Sequence, residues 1–340
     1  MKVAVIFGGA SAERDVSIAS GAQIFKALKS KAHEVIAVDT AAGILGKEEE
    51  KVFLETTVKE VPNINNKLSF LRDGLFKFIL SEKIKEIDVC FLALHGGAGE
   101  DGRIQGYLDI CGIPYTGSTH MPCCYAMDKD IAKLLFRNAG IATPDWLMAP
   151  ASITEVEKKL GLPVVVKPSR EGSTVGLSVV KKPDEYNTAV EFALKYDCEV
   201  VIEKFIPGRE FTVGVLEDQA LGVGEIIPKF SEIFDYKSKY QKGGAEEIFP
   251  AKISNDKTEL LRETALKAHR VLKMEDYSRV DFRMDPAGKI WCLEVNALPG
   301  MTSTSLLPQS AAVMGMTFAD LCEKICLIAI KRNRNMRNYK

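Results

Sequence analysis

The sequence predicts an α/β chain of more than one domain. A parallel sheet covered by helices comes first, and regions mixing helices with antiparallel strands follow. Three observations carry this. Residues 3–7, 35–38 and 89–94 are short apolar runs bounded by turn or polar residues, and 17–28 between the first two has helical periodicity. Such β-α-β alternation implies a parallel sheet. Next, the apolar runs 162–167 and 177–180 flank a glycine-bracketed loop at 172–176, the pattern of a hairpin across a flexible turn. Finally, strand-like runs recur at 211–216, 220–227, 278–284 and 289–295, with helical stretches at 257–272 and 317–330. A chain of 340 residues provides for two or three domains with substantial cores.

The start, MKVAVIFGGASAE, breaks at Gly8-Gly9 and reads as a first strand rather than a signal peptide. Residues 43–86 are poorly patterned. A new pattern begins near Gly117, with an amphipathic helix at 129–139, a helix at 184–196 and a strand at 199–205. After Pro207 the third region opens. Its segment 228–250 is polar, aromatic and glycine-containing, and reads as a long mobile loop of the kind that closes active sites. The net charge of −1 supplies no global basic field for nucleic acid. The basic tail KRNRNMRNYK reads as a solvated helix end. No apolar run reaches the roughly 18 residues of a membrane helix. The eight cysteines form no CxxC pair and several lie in apolar runs, which reads as buried free thiols in a reducing cytoplasm.

Chemistry concentrates in RVDFRMDPAGKIWCLEVNALPGMTSTSLL, residues 279–307. Two short strands there bring the oxygen side chains of Asp281, Glu294 and Asn296 together. Glu294 and Asn296 share one strand face across Val295. Hard divalent cations take such oxygens, and Mg²⁺ usually adds the phosphates of a nucleotide, so the stretch suggests a Mg-nucleotide site. The segment VVVKPSREGSTVG puts Lys167 at a strand end before a loop whose backbone N–H groups and hydroxyls can approach phosphates. It is equally compatible with a plain turn, and no Walker spacing occurs in the chain. In EVVIEKFIPGREFTV, Glu203 and Glu210 flank an apolar hinge that either grips an adenosine or links domains. Two glycine-rich loops, LHGGAGEDG with His95 and FGGASAERDVS with Glu13, end strands of the first sheet, where open α/β sheets bind ligands. A structural role for His95 and helix capping by Ser11 or Glu13 stand beside that reading. Neither loop carries GxGxxG, which counts against a dinucleotide site and an oxidoreductase.

Taken together and in order, GGASAERDVS, LHGGAGEDG, YTGS…AMDK, KPSREGSTVG, VIEKFIPGREFTV, FDYKSKY, RVDF and EVNALPGMTSTSL resemble the D-alanine–D-alanine ligases of the ATP-grasp superfamily, over nearly the whole chain. The resemblance implies a three-domain ATP-grasp architecture. A substrate domain would span 1–117. A central subdomain with the phosphate loop would span 118–203, and a C-terminal subdomain with the metal site and the loop 228–250 would span 204–340. It implies that one D-alanine is activated by ATP as an acyl phosphate, which the amine of a second D-alanine attacks, in service of peptidoglycan precursors. D-serine or D-lactate as acceptor, or a non-catalytic nucleotide-binding scaffold, are the alternatives.

By the same resemblance, Lys129, Lys167, Ser173 and Thr174 bind the phosphates. Glu203, Lys204, Phe205 and Ile206 form the adenine pocket, and Glu210 the ribose contact. Asp281, Glu294 and Asn296 hold two Mg²⁺, for which Mn²⁺ can substitute. Glu13, Ser173 and Tyr240 form a hydrogen-bonded trio, and His95 sits near the first D-alanine. Arg279 and the Gly300 N–H stabilise an oxyanion. Ser305 and Leu306 receive the acceptor carboxylate, and Lys239 neutralises the moving phosphoryl group as its loop closes. Tyr236, Lys239 and Tyr240 favour an amino-acid acceptor. A cytoplasmic homodimer is implied, with no nucleic-acid or membrane partner. Ala297 and Met121-Pro122-Cys123-Cys124 depart from the family pattern without touching these groups.

Overall fold

The computed structural model describes residues 1–9, 11, 13–56, 73–229 and 244–338, with side chains omitted from 335 onward. Its first sheet holds β1 (Lys2–Phe7), β2 (Glu34–Asp39), β3 (Gly43–Ile44) and β4 (Val89–Leu92) in the order β3-β2-β1-β4. β1 pairs parallel with β2 and β4, while β3 is a short antiparallel edge. Val3, Ala4, Val5 and Ile6 are fully buried, as a parallel strand covered on both faces requires. Helix Arg14–Ser30 crosses from β1 to β2. It lies so close to β1 that a Cβ on Gly21 would stand 2.8 Å from the Phe7 Cβ, so only glycine permits this approach.

The second sheet is antiparallel, with β5 (Trp146–Met148), β6 (Val164–Pro168), β7 (Ser178–Val180) and β8 (Val200–Lys204) in the order β5-β8-β6-β7. Its core combines Val164, Val166, Val180, Val200 and Ile202 with Tyr186, Ala189 and Ala193 of helix Tyr186–Ala193. The third sheet, also antiparallel, has β9 (Arg209–Leu216), β10 (Gln219–Pro228), β11 (Ala245–Ile248), β12 (Tyr277–Met284) and β13 (Ile290–Asn296) in the order β11-β10-β9-β12-β13. On β12, Val280, Phe282 and Met284 join the core made with Leu261, Ala265 and Ala268 of helix Asn255–Val271. Arg279, Asp281 and Arg283 alternate onto the opposite face.

Three expectations need correction. The expected loop at 228–250 is partly ladder: β10 runs to Pro228 and pairs with β11, register Ile226 to Glu247. Residues 230–243, with Tyr236, Lys239 and Tyr240, lie outside the described residues. The basic tail is not wholly solvated. Arg332, in helix Phe318–Asn338, donates to the Tyr115 carbonyl at 2.7 Å and pairs with Glu275 and Asp276, each at 3.2 Å. Asp276 accepts in turn from the Gly117 N–H at 2.9 Å, so this arginine clasps the first sheet's exit to the third. Lastly, helices Arg103–Cys111, His120–Met127, Ile153–Lys159 and Leu306–Val313 have no counterpart in the periodicity. Cys90, Cys123, Cys292, Cys322 and Cys326 are buried free thiols, while Cys111, Cys124 and Cys198 are exposed.

Candidate active site

Two adjoining cavities lie against the polar face of β12. The first is lined by Lys129, Lys167, Ser173, Thr174, Glu203, Lys204, Phe205, Ile206, Glu210, Asp281 and Glu294. Lys129 opens helix Lys129–Asn138, which is capped where the Asp128 side chain accepts from the Ile131 N–H at 3.1 Å. Its ammonium donates to the Glu171 carbonyl at 2.6 Å and stands 3.8 Å from Glu294. Burial lowers its pKa, against the pull of Glu294. Lys167 stands next to last in β6 and reaches Glu203 at 3.2 Å. The other oxygen of Glu203 takes the ammonium of Lys133 at 2.6 Å, and Lys133 also donates to Thr143 Oγ1 at 2.8 Å. Burial alone would raise Glu203, but the two lysines outweigh it and hold the carboxyl below its usual range. Lys133, which the motifs did not single out, supports the cavity-lining Glu203. Its signal was available: it follows Lys129 by one helical turn on the same face, a repulsive spacing unless acids oppose it.

The glycine-bracketed loop closes over this cavity. Ser173 and Thr174 have φ of 49° and 62°, left-handed values that cost non-glycine residues energy and persist where their surroundings fix them. The Ser173 hydroxyl donates to the Glu13 carboxylate, joining the second sheet's loop to the first sheet's. Glu13 makes no helix cap with its side chain. Just before that loop, burial pushes the Glu171 carboxyl up to about 7. Arg283 is a second overlooked residue. It donates to the Ile206 carbonyl at 2.9 Å, pairs with Glu210 at 3.5 Å and stacks on Phe205 at 5.2 Å, fixing the three residues after β8 that line the cavity.

Asp281 and Glu294 face each other across β12 and β13, as do Arg279 and Asn296. A bulge follows: Phe282 pairs with Cys292, so Leu293 is extra. Cys292 therefore turns into the core while Leu293 joins Glu294 in the cavity, a use of bulges common beside active sites. Asp281 accepts from Thr212 at 2.7 Å, from Arg279 at 2.9 and 2.7 Å, and from the Asn296 amide at 2.9 Å. Among the described residues no group of three or more His, Cys, Asp or Glu has metal-ligand spacing. Two carboxylates and an amide oxygen are nevertheless hard donors that suit Mg²⁺ or Mn²⁺, provided nucleotide phosphates complete the shell.

The second cavity is lined by Glu13, His95, Ser173, Arg279, Asn296, Gly300, Ser305 and Leu306. His95 is buried between the Leu298 carbonyl and Ser20 Oγ, each 3.1 Å from a ring nitrogen, with Glu100 at 3.8 Å. The turn after β13 rests on the first helix, where Gln23 accepts from the Ser303 N–H at 2.6 Å. Ser305 precedes helix Leu306–Val313 and accepts from the Thr302 N–H at 3.1 Å. A Cβ at Gly300 would stand 3.0 Å from Ser305 Oγ, so a side chain there would crowd that hydroxyl. Every sequence-predicted site residue among those described thus lines one of two cavities, and Ser173 lines both.

Known proteins resemble this chain in sequence and in fold. A family model described as the D-ala D-ala ligase N-terminus matches residues 2–118, and one described as the D-ala D-ala ligase C-terminus matches residues 134–327. The chain is 40% identical over 332 residues to a D-alanine–D-alanine ligase of Geotalea uraniireducens (strain Rf4), covering 96% of this chain and 95% of that one. It superposes on the ATP complex of D-alanine–D-alanine ligase from Bacillus anthracis with a TM-score of 0.77 and 31% identity over 99% of both chains. Against a D-Ala:D-Ser ligase from Enterococcus faecalis the TM-score is 0.79 at 28% identity, over 96% of this chain and 99% of the other.

Proposed function

The chain belongs to the D-alanine–D-alanine ligase family, and from that premise we propose how its two cavities share an ATP-dependent ligation of two D-alanines that feeds peptidoglycan synthesis. The observation that carries the reading is the single loop around Ser173, which lines both cavities and bonds to Glu13. Phosphoryl transfer from one cavity to an acceptor in the other needs such a shared wall.

In this reading Lys129 and Lys167 bind the ATP phosphates beneath Ser173 and Thr174. Glu203, Lys204, Phe205 and Ile206 flank the adenine, and Glu210 meets the ribose. Asp281, Glu294 and Asn296 would hold Mg²⁺ or Mn²⁺, which neutralises charge on the phosphates when bound. Glu13 takes the ammonium of the first D-alanine near His95, leaving its carboxylate to attack the γ-phosphorus. The bond from that phosphorus to the bridging oxygen breaks and ADP leaves. The amine of the second D-alanine, its carboxylate at Ser305 and Leu306, then attacks the acyl carbon. Arg279 and the Gly300 N–H stabilise the oxyanion, and phosphate departs, carrying the proton the amine loses as the amide forms. Lys239 and Tyr240, outside the described residues, would close over the transfer.

Phosphate release with D-alanine or L-alanine as sole amino acid tests this. Release only with D-alanine is expected, and equal release with L-alanine would sink it. The similarity to a D-Ala:D-Ser ligase keeps D-serine as a second acceptor reading, which product masses from mixed D-alanine and D-serine would separate. No helix among the described residues is long and apolar enough to cross a membrane. This reading assigns the enzyme to the cytoplasm, where ATP is at hand and its thiols stay reduced. It is further taken as a homodimer on family resemblance, which sedimentation would check.

A further inference from the structure

We infer that Glu247 is an acceptor-selecting residue, whose carboxylate receives an N–H of the incoming second amino acid. The inference rests on the ligase reading above. Glu247 lies on edge strand β11 opposite Ile226. Strand alternation puts Ala245, Glu247 and Phe249 on one face, and Ala245 and Phe249 pack on Ile226 and Leu306. An acid in the middle of that apolar face requires a reason. The cavity supplies one, because Glu247 lines it together with Arg279, Gly300 and Ser305.

The carboxylate is held, not loose. Gln309 Nε2 donates to Glu247 Oε2 at 2.5 Å and to the Thr304 carbonyl at 2.7 Å, so one amide ties the acid to the turn that ends at Ser305. An ionised carboxylate has about four acceptor positions, and Gln309 takes one. Burial pushes the Glu247 carboxyl up, while Gln309 and the charge of Arg279 pull it back. An acceptor whose carboxylate meets Ser305 and Leu306 brings its other end into this same cavity. D-alanine brings an ammonium or amine, which a carboxylate attracts. D-lactate brings one neutral hydroxyl and gains less.

A bland role competes. Inward-pointing charges protect edge strands from pairing with other chains, and Gln309 could simply pin β11. Glu247→Gln separates the two, because it keeps length and an amide partner for Gln309 but removes the charge. The full-length enzyme is supplied with ATP, Mg²⁺ and D-alanine. Hydroxylamine traps the acyl phosphate as a hydroxamate, which reports the first half-reaction alone. Competition between D-alanine and D-lactate is read as the mass ratio of dipeptide to depsipeptide. Glu247→Gln is expected to raise the acceptor KM about tenfold and lower that ratio about tenfold, with hydroxamate formation changed less than about twofold. An unchanged ratio and acceptor KM overturn the inference. No hydroxamate from the wild type overturns the ligase reading instead. Gln309→Met, which frees the carboxylate from its holder, is read alongside in case Glu247→Gln does not fold. A lowered ratio supports the inference there and an unchanged one refutes it.

Discussion

Replacing Lys133 by methionine tests the charge arrangement under the nucleotide cavity. The side chains of Lys133 and Glu203 are 1% and 4% exposed, and their 2.6 Å contact is backed by Thr143 at 2.8 Å. Methionine fills much the same volume but removes the cation. Glu203 then keeps only Lys167, at 3.2 Å, and the Thr143 hydroxyl loses a donor. Breaking a buried pair from one side costs about 3–5 kcal/mol. Lys167 remains, so the low end applies: about 3 kcal/mol, or roughly 6–12 °C in Tm. A second effect follows. With one lysine gone, Glu203 draws Lys167 more strongly, and the KM for ATP should rise about tenfold while that for D-alanine hardly moves. Thermal unfolding and steady-state kinetics read both. The double variant Lys133→Met, Glu203→Gln also takes the carboxylate from buried Lys167 and should be no more stable than the single. A single variant within about 1 kcal/mol of wild type, or a double variant clearly more stable than the single, would refute the reasoning.

Three further outcomes are expected. Burial lowers His269 to about 4 from an ordinary 6.5, chiefly by desolvation and against Asp218. Its folded pKa lies below its unfolded one, so the unfolded chain binds the extra proton. The contribution is present above pH 6.5 and is lost as pH falls toward 4, by about 3 kcal/mol; urea midpoints of wild type minus His269→Gln across that range should show this slope, and parallel curves would count against it. Glu294→Gln should raise the Mg²⁺ needed for half-maximal activity by about tenfold or more, read by metal titration; an unshifted curve removes Glu294 from the metal site. Gly208→Ala should destabilise by about 2–4 kcal/mol in chemical unfolding, because φ is 123° and the new Cβ would stand 2.1 Å from the Met284 carbonyl.

The longer strands of each sheet were legible in the sequence, while the short edge strands β3, β5 and β11 were not. On β12, R-V-D-F-R-M alternates strictly, so both the core face and the site face could be read from the sequence. The bulge after Asp281 could not, because Cys292 and Leu293 are both apolar and the pattern does not say which turns inward. Short helices such as Ile153–Lys159 span too few turns for periodicity to declare itself. Motif reading found the groups that line the two cavities. It passed over Lys133 and Arg283, which act through other side chains, and Glu247, which lies in a stretch that looked like pure loop.

The bond between Ser173 and Glu13 has a thermodynamic consequence. In the proposed reading it joins the wall of the nucleotide cavity to the acid that takes the first amino acid. Any ordering of that loop by ATP is then felt in amino-acid affinity. Linkage is reciprocal, so D-alanine must tighten ATP by the same factor that ATP tightens D-alanine. On that reading one hydroxyl would make each substrate an effector of the other.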